Sequence, residues 1–288
     1  MNIDKFALNM CGVHDPDVFN ESNCRFIRSS RRVYIGHEYC SAFLPLFTAK
    51  AETLINTIER HRKVTVCIPV VQEKHWEYLK QLCRLLQKSD IVDEIVVNDF
   101  GTLSYCHQEL PDKKLILGKM FSKSPRDPRV DLWNFEGIKR PEILAESIFE
   151  TESFQELMQT YSIDMVETDC ISEEYVQLLL KENRNYMIHI HYPYTYITSG
   201  TVCPQNQLEK CDSVLRQCQP TCECTCADSS ILLYHPALIY NVVNCGNAYL
   251  YCSKFELPSD RVLENKKIRF VINKQITDDS IDRLTSTI

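Results

Sequence analysis

The sequence lacks several features by which membrane, secreted and nucleic-acid-binding proteins are recognised. No stretch approaches the roughly 20 apolar residues that a membrane helix requires. The first residues, MNIDKFALNM, contain an early acidic residue and no long apolar core, so we expect no secretory signal. With 32 basic and 39 acidic residues, the net charge of −7 argues against unaided binding to a polyanion. We therefore expect a cytoplasmic protein without a membrane span, acting on a small molecule rather than on nucleic acid.

Signs of a protease or of a repeat protein are also missing. No order of Ser, His and Asp, or of Cys and His, stands out along the chain, and there is no internal repeat or low-complexity linker. At 288 residues, with 44% hydrophobic and 25% charged residues, the composition is that of an ordinary globular protein. We expect one barrel-sized domain over residues 1–288.

Cysteine, in contrast, is abundant, with 15 residues. Disulfide frameworks belong mainly to short secreted chains, so we expect thiols that are reduced, either free or bound to metal. Cys67 in VTVCIPV and Cys83 in QLCRLL lie within apolar runs, where a thiol acts as a small core residue.

Four cysteines have the spacing of a metal site, one of them distant and three clustered as C-x14-C-x3-C. They are Cys40, Cys203, Cys218 and Cys222. Four thiolates can hold an iron–sulfur cluster, and the same four could form a tetrahedral zinc site or be unrelated thiols. The surrounding segment, residues 200–228, adds Cys211, Cys224 and Cys226. Any of these could replace a ligand, and Cys222 is the least secure of the four.

Short apolar runs alternate with amphipathic stretches along the chain. Strands are predicted at 33–35, 64–70, 95–97, 115–117, 165–167, 186–191, 232–234 and 268–272, and helices at 43–62, 72–88, 142–161, 172–180 and 237–243. Six or more strand–helix units favour a parallel α/β fold of the TIM type, a (β/α) barrel that could be incomplete. The cysteine-rich segment interrupts this pattern as an insertion.

In such barrels the carboxyl ends of the strands build the active site. The polar side chains at predicted strand ends are Asn98, Asp99, Glu167, Asp169, His189 and His191. The two histidines share one face of their strand and could act as a base or contact a substrate. Satisfied core histidines, helix caps and turn-forming acids are the ordinary explanations. Arg126, Asp127 and Arg129 could clamp an anion or simply fix a loop.

Several of these segments resemble the UbiV-like iron–sulfur proteins of the collagenase-like peptidase family (peptidase family U-thirty-two). RVYIGHEYC is similar to that group's YIGE-x-VC, and the later cysteines resemble its C-x12-C-x3-C. EIVVNDFGTL and LGKMFSKSPRDPRV resemble two further, individually weak motifs. The cluster loop of this chain is two residues longer, and the family's peptidase signature is present only as a fragment around SGTVC.

The resemblance implies a TIM-type barrel with a [4Fe–4S] cluster held by the four cysteines listed above. It also implies a heterodimer with a second subunit of the same family, and oxygen-independent hydroxylation of a quinone precursor under low oxygen. Candidate catalytic residues are His189, His191, Asp99 and Glu167. The alternatives are a zinc-stabilised binding barrel and an RNA-modifying or peptidase member of the family, and we consider peptidase activity disfavoured.

Overall fold

Eight largely apolar segments form parallel strands that close into a barrel, as seen in a computed structural model. The structure describes residues 6–17, 30–58, 61–122, 148–170, 175, 176, 179, 185–205, 222, 224, 226, 230–236, 238, 241–252 and 265–273. The strands in chain order are β1 Phe6–Asn9, β2 Arg32–Gly36, β3 Lys63–Cys67, β4 Val92–Val97, β5 Lys114–Leu117, β6 Met165–Asp169, β7 Met187–Tyr192, β8 Tyr194–Ser199, β9 Ile231–Leu233, β10 Val242–Cys245, β11 Ala248–Cys252 and β12 Ile268–Asn273.

The barrel order is β1-β12-β7-β6-β5-β4-β3-β2, and every neighbouring pair is parallel. The chain therefore has the predicted TIM-type α/β barrel, and the barrel is closed. The helices are α1 Leu44–Thr57, α2 Trp76–Leu86, α3 Phe100–Glu109 and α4 Glu152–Thr160, with short 3₁₀ turns at Ser41–Phe43, Glu73–His75 and Ile148–Glu150. Among the described helices, none is long and apolar enough to cross a bilayer.

Local sequence explains the helices that lie between the strands. Pro45 occupies the first turn of α1, where its missing N–H costs nothing. On α2, Leu79, Leu82, Cys83 and Leu86 are buried along one face, as their spacing predicts. The sequence analysis missed α3, which begins after Asp99. The Asp99 carboxylate accepts a hydrogen bond from the Thr102 N–H at 2.7 Å, and this caps the helix.

Two expectations for the second half of the chain are wrong. The strand near 232–234 does not continue the barrel, because β9 belongs to a separate antiparallel sheet of order β8-β11-β10-β9. The helix predicted at 237–243 is wrong at its end, since residues 242 and 243 lie in β10. A short apolar run does not reveal by itself which sheet it joins.

Alternate residues of the barrel strands fill its interior. The apolar layer comprises Ala7, Tyr34, Cys67, Val96, Ile116, Met165 and Val271. Towards the amino-terminal ends of the strands, the buried Glu94 carboxylate pairs with Arg32 at 3.0 Å and with Arg269 at 2.7 Å. This pairing compensates the desolvation of all three charged groups. The opposite end of the barrel, where the strands terminate, carries the candidate site.

Gly36 shows how tightly β2 and β3 approach each other at that end. Its φ is +98°, and a Cβ added there would lie 2.3 Å from the backbone oxygen of Cys67. We predict that Gly36→Ala lowers the free energy of unfolding by at least about 2 kcal/mol, because it adds a backbone clash to a left-handed conformation. Urea denaturation measures the change. Gly200→Ala is the matched control, since a Cβ there meets only atoms at 3.8 Å or more. Equal effects of the two substitutions would contradict the prediction.

Candidate functional site

Titratable side chains from four strands meet at the carboxyl end of the barrel. Glu38 lies two residues beyond β2, and Lys119 two residues beyond β5. Asp169 is the last residue of β6, and His191 lies near the end of β7, directly beside Asp169 in the register. All four side chains are buried. The strand ends therefore assemble a single polar cluster, as the topology of a parallel barrel dictates.

Lys119 is the centre of this cluster. Its Nζ lies 2.6 Å from Oε2 of Glu38 and 3.2 Å from Oδ1 of Asp169. The same nitrogen stands 5.1 Å from the centroid of the Tyr39 ring, within cation–π range. Glu38 is held on its other side by the Asn9 side-chain amide, which donates to Oε1 at 2.7 Å. One ammonium therefore connects the carboxyl ends of β2, β5 and β6.

The electrostatics keep this ion pair charged. Burial opposes the charge on Lys119, but the carboxylates of Asp169 and Glu38 outweigh it and raise the pKa of the lysine. Burial likewise disfavours ionised Glu38, yet Lys119 and His191 hold the pKa of Glu38 far below its usual value. A lysine that stays protonated cannot act as a nucleophile or as a base. Its contribution is therefore positive charge and hydrogen-bond donation.

His191 lies between two carboxylates. Its Nδ1 is 3.4 Å from Oε1 of Glu38, and its Nε2 is 3.2 Å from Oε1 of Glu167. Within the described residues, neither Nε2 nor either Glu167 oxygen makes a well-aligned hydrogen bond. Burial raises the pKa of Glu167, and the neighbouring imidazole only partly offsets this effect. The histidine and this carboxyl therefore form a buried pair able to hold a proton next to the mouth of the barrel.

A pocket opens above the cluster, between the barrel and the antiparallel sheet. Glu38, Lys119 and His191 lie on the barrel side, while Tyr194 and Leu250 come from the sheet. The cavity measures about 80 Å³. Ligand sites combine apolar walls with a few convergent polar groups, as this cavity does, but usually measure about 300 to 1,000 Å³, so only a small group would be enclosed here.

The other predicted site residues have structural partners. His189 is fully buried inside the barrel, where its Nδ1 is 2.9 Å from the Tyr34 hydroxyl. Burial and the positive charge of Arg269 lower the pKa of His189, so it is neutral at physiological pH. Asp99 caps α3 and also accepts from the Val71 N–H at 3.0 Å. Asn98 donates to the Ile68 carbonyl. Arg126, Asp127 and Arg129 lie outside the described residues.

Sequence reasoning missed Glu38 and Lys119. Each follows a predicted strand that ends at a glycine, Gly36 or Gly118, and each is the first or second residue after it. A charged residue just past a barrel strand is the signal that would have found them.

Two of the four predicted cysteine ligands come close together. Cys40 is buried beside the first 3₁₀ turn, and burial together with the charges of Cys222 and Cys226 raises its pKa to about 12. Cys203 is also buried. Cys218, like Cys211, lies outside the described residues.

Cys224 and Cys226 belong to the same group of thiols. The Cys224 N–H donates to Sγ of Cys222 at 3.3 Å, and the Sγ atoms of Cys224 and Cys226 are 3.9 Å apart. Cys226 also lines the pocket, together with Cys11 and Cys245. In the part of the chain that the structure describes, no three His, Cys, Asp or Glu side chains have the spacing of a metal site. The donor set is nevertheless made of thiols, which suits a soft metal or an iron–sulfur cluster.

Comparison with known proteins assigns no family. No family model and no curated protein matches the chain. Solved structures that resemble it distantly include the following two. A proposed dehydratase from Mesorhizobium loti is 11% identical with a TM-score of 0.41, and the match covers 86% of this chain and 64% of that one. A class V chitinase mutant from Cycas revoluta, in complex with (GlcNAc)3, is 8% identical with a TM-score of 0.31 and 98% coverage of both chains.

The chain spans less than two-thirds of the length of that dehydratase. Likenesses this distant carry no activity over to the present chain. The candidate site must therefore be judged on its own groups.

The raised pKa of Glu167 gives a testable pH dependence. A carboxyl whose pKa is higher in the folded state contributes stability that is present below its ordinary value, near 4.5, and is lost as the pH rises through the folded value. Glu167→Gln removes this titration. The free energy of unfolding of the variant, minus that of the wild type, should therefore increase as the pH rises above about 4.5. Urea denaturation across this pH range measures it.

Glu77→Gln on α2 is the control for removing one exposed carboxylate. If the free energy of unfolding of Glu167→Gln minus that of the wild type stays constant or falls as the pH rises, the folded protein does not disfavour the charge on Glu167.

Proposed function

We propose that this chain is an iron–sulfur protein whose barrel-mouth pocket holds a small-molecule substrate for an oxygen-independent hydroxylation, performed together with a second, related subunit. One observation carries the proposal. Cys226 lines the pocket, its Sγ lies 3.9 Å from Sγ of Cys224, and the Cys224 N–H donates to Sγ of Cys222, a proposed ligand. The wall of the polar pocket therefore includes one cysteine of this group of thiols.

The resemblance of the cysteine pattern to UbiV-like proteins supports the choice of an iron–sulfur cluster. Cys40 and Cys222 are the proposed ligands that lie close together, and Cys203 and Cys218 complete the proposed set. When bound, such a cluster supplies one-electron redox chemistry, tuned by the burial of its sulfur ligands. A position next to the pocket would make the centre part of the reaction rather than only a structural support.

The chain's own residues would supply binding and proton handling. His191 faces the pocket, and its Nε2 faces Glu167, so a proton could pass between the imidazole and this buried carboxyl. Lys119 stays protonated and holds Glu38 in place on the other side of the ring. The antiparallel sheet covers the pocket with Tyr194 and Leu250, which limits the access of water.

Zinc is the second candidate, and one distance favours it. Two thiolates bound to a single tetrahedral zinc, at about 2.3 Å each, stand about 3.8 Å apart. The Sγ atoms of Cys224 and Cys226 are separated by 3.9 Å. A zinc site built around these two cysteines would give a redox-silent binding barrel instead of a hydroxylase subunit.

Anaerobic purification tests the proposal directly. We expect a brown protein with about four irons and four sulfides per chain. Cys40→Ala, Cys203→Ala, Cys218→Ala and Cys222→Ala should each lose most of the iron and the visible absorption. Cys83→Ala is the matched control, because Cys83 is buried like Cys40 and Cys203 but lies on α2.

A colourless protein with one zinc per chain would overturn the iron–sulfur proposal. If Cys226→Ala loses the metal and Cys203→Ala retains it, the protein has a metal centre, but Cys226 rather than Cys203 is one of its ligands. Co-purification of a second barrel subunit with the wild type, detected by mass spectrometry, tests the proposed heterodimer.

A further inference from the structure

The charge balance at the mouth of the barrel indicates what kind of molecule the pocket accepts. We propose that it binds a small apolar compound carrying a neutral or cationic hydrogen-bond donor, a hydroxyl or an amine, and that it rejects phosphates and carboxylates. This inference rests on the proposed function only in taking the pocket as the binding site, and it does not depend on the metal.

Acidic groups outnumber basic ones beneath the pocket. Three buried carboxylates, those of Glu38, Glu167 and Asp169, surround a single buried ammonium, that of Lys119. His191 lies among them and can hold at most one further positive charge. Even with Glu167 protonated, Glu38 and Asp169 together outweigh Lys119. Among the described residues, an incoming anion would therefore meet no uncompensated positive charge.

Lys119 lines the pocket, but its positive charge does not attract anions there. Its ammonium already pairs with two carboxylates, at 2.6 Å and 3.2 Å. Coulomb interactions at such distances are strong in a buried environment, so a bound phosphate would have to displace one carboxylate and leave it unpaired. Rejection of anions thus follows from the same ion pairs that hold the site together.

Several buried polar atoms near the pocket have ionic partners but no well-aligned hydrogen bond from a described residue. Oδ1 of Asp169 lies 3.2 Å from the Lys119 ammonium, and Oε1 of Glu167 lies 3.2 Å from Nε2 of His191; the second Glu167 oxygen is also buried. Buried polar atoms without a well-aligned hydrogen bond are costly, so a donor supplied by a ligand, directly or through a water molecule, is favoured. His191 lines the pocket, so a ligand bound there can donate a hydrogen bond to its imidazole.

The wall opposite the charges is apolar. Leu250 and Val243 of the antiparallel sheet line it together with the Tyr194 ring, and Val271 of β12 adds apolar surface beside His191 on the barrel side. A ligand that contacted only the polar groups would leave these apolar side chains exposed to water. The cavity of about 80 Å³ limits the buried part of the ligand to a ring or a short chain.

Four probes that share a phenyl ring and differ in their polar group test this inference. They are benzyl alcohol, benzylamine, benzoate and phenyl phosphate. Binding to the full chain is measured by saturation-transfer NMR titration. We expect saturable binding of the alcohol and the amine, and at least tenfold weaker binding of the two anions.

Substitutions that fill the pocket, with a control on the exposed strand β9, place the binding in this pocket. Leu250→Trp should weaken binding of the alcohol and the amine at least tenfold by filling the cavity, whereas Leu232→Trp on exposed β9 should leave it unchanged. Val243→Phe fills the same pocket if Leu250→Trp fails to fold. Asp169→Asn removes one negative charge and should lower the affinity ratio of amine to alcohol about fivefold.

Tighter binding of benzoate or phenyl phosphate, absence of binding by all four probes, or insensitivity to filling the pocket would overturn the inference. Metal content is measured on the same samples. If the protein holds a normal iron–sulfur cluster but binds the anions more tightly, only this inference is contradicted. If the protein holds no iron but still binds the amine and the alcohol selectively, only the proposed function is contradicted.

Discussion

Burial of the Lys119 ammonium is the constraint on which the mouth of the barrel depends. An unpaired lysine would be too costly at this depth, so Glu38 and Asp169 must approach it from the ends of β2 and β6. Asn9 then fixes Glu38 from β1. Because these partners lie on separate strands, the ion pairs can form only when the barrel is closed in the correct register. The network therefore links closure of the fold to assembly of the site.

The pocket and its chemistry follow from that arrangement. Glu38 reaches His191 on one side, and Glu167 reaches the same imidazole from inside the barrel. The antiparallel sheet covers the resulting polar surface with apolar side chains. Cys226, which contributes to the pocket wall, connects it to the group of thiols around Cys40. The proposed metal centre and the proposed ligand site are therefore neighbours.

Much of the barrel could be predicted from the sequence, because strands β2 to β7 and β12 are apolar, β-branched runs. The short β1 was missed, since Phe6–Asn9 is only four residues long. The strand at 232–234 was assigned to the barrel, although Leu232 and Leu233 are exposed in a different sheet. Of the site, His191 and Glu167 were predicted from their positions at strand ends. Glu38 and Lys119 were not: their positions just past strands marked them as candidates, but nothing local shows that the two residues pair with each other across the barrel.

A double-mutant cycle on Lys119 and Glu38 tests the central claim most directly. The free energy of unfolding is measured for the wild type, Lys119→Met, Glu38→Gln and the double variant. If the buried pair holds the mouth of the barrel together, each single change should cost about 3 kcal/mol or more. The double variant should then be more stable than the sum of the two effects predicts, by at least about 1 kcal/mol. Additive effects, within about 0.5 kcal/mol, would contradict the account.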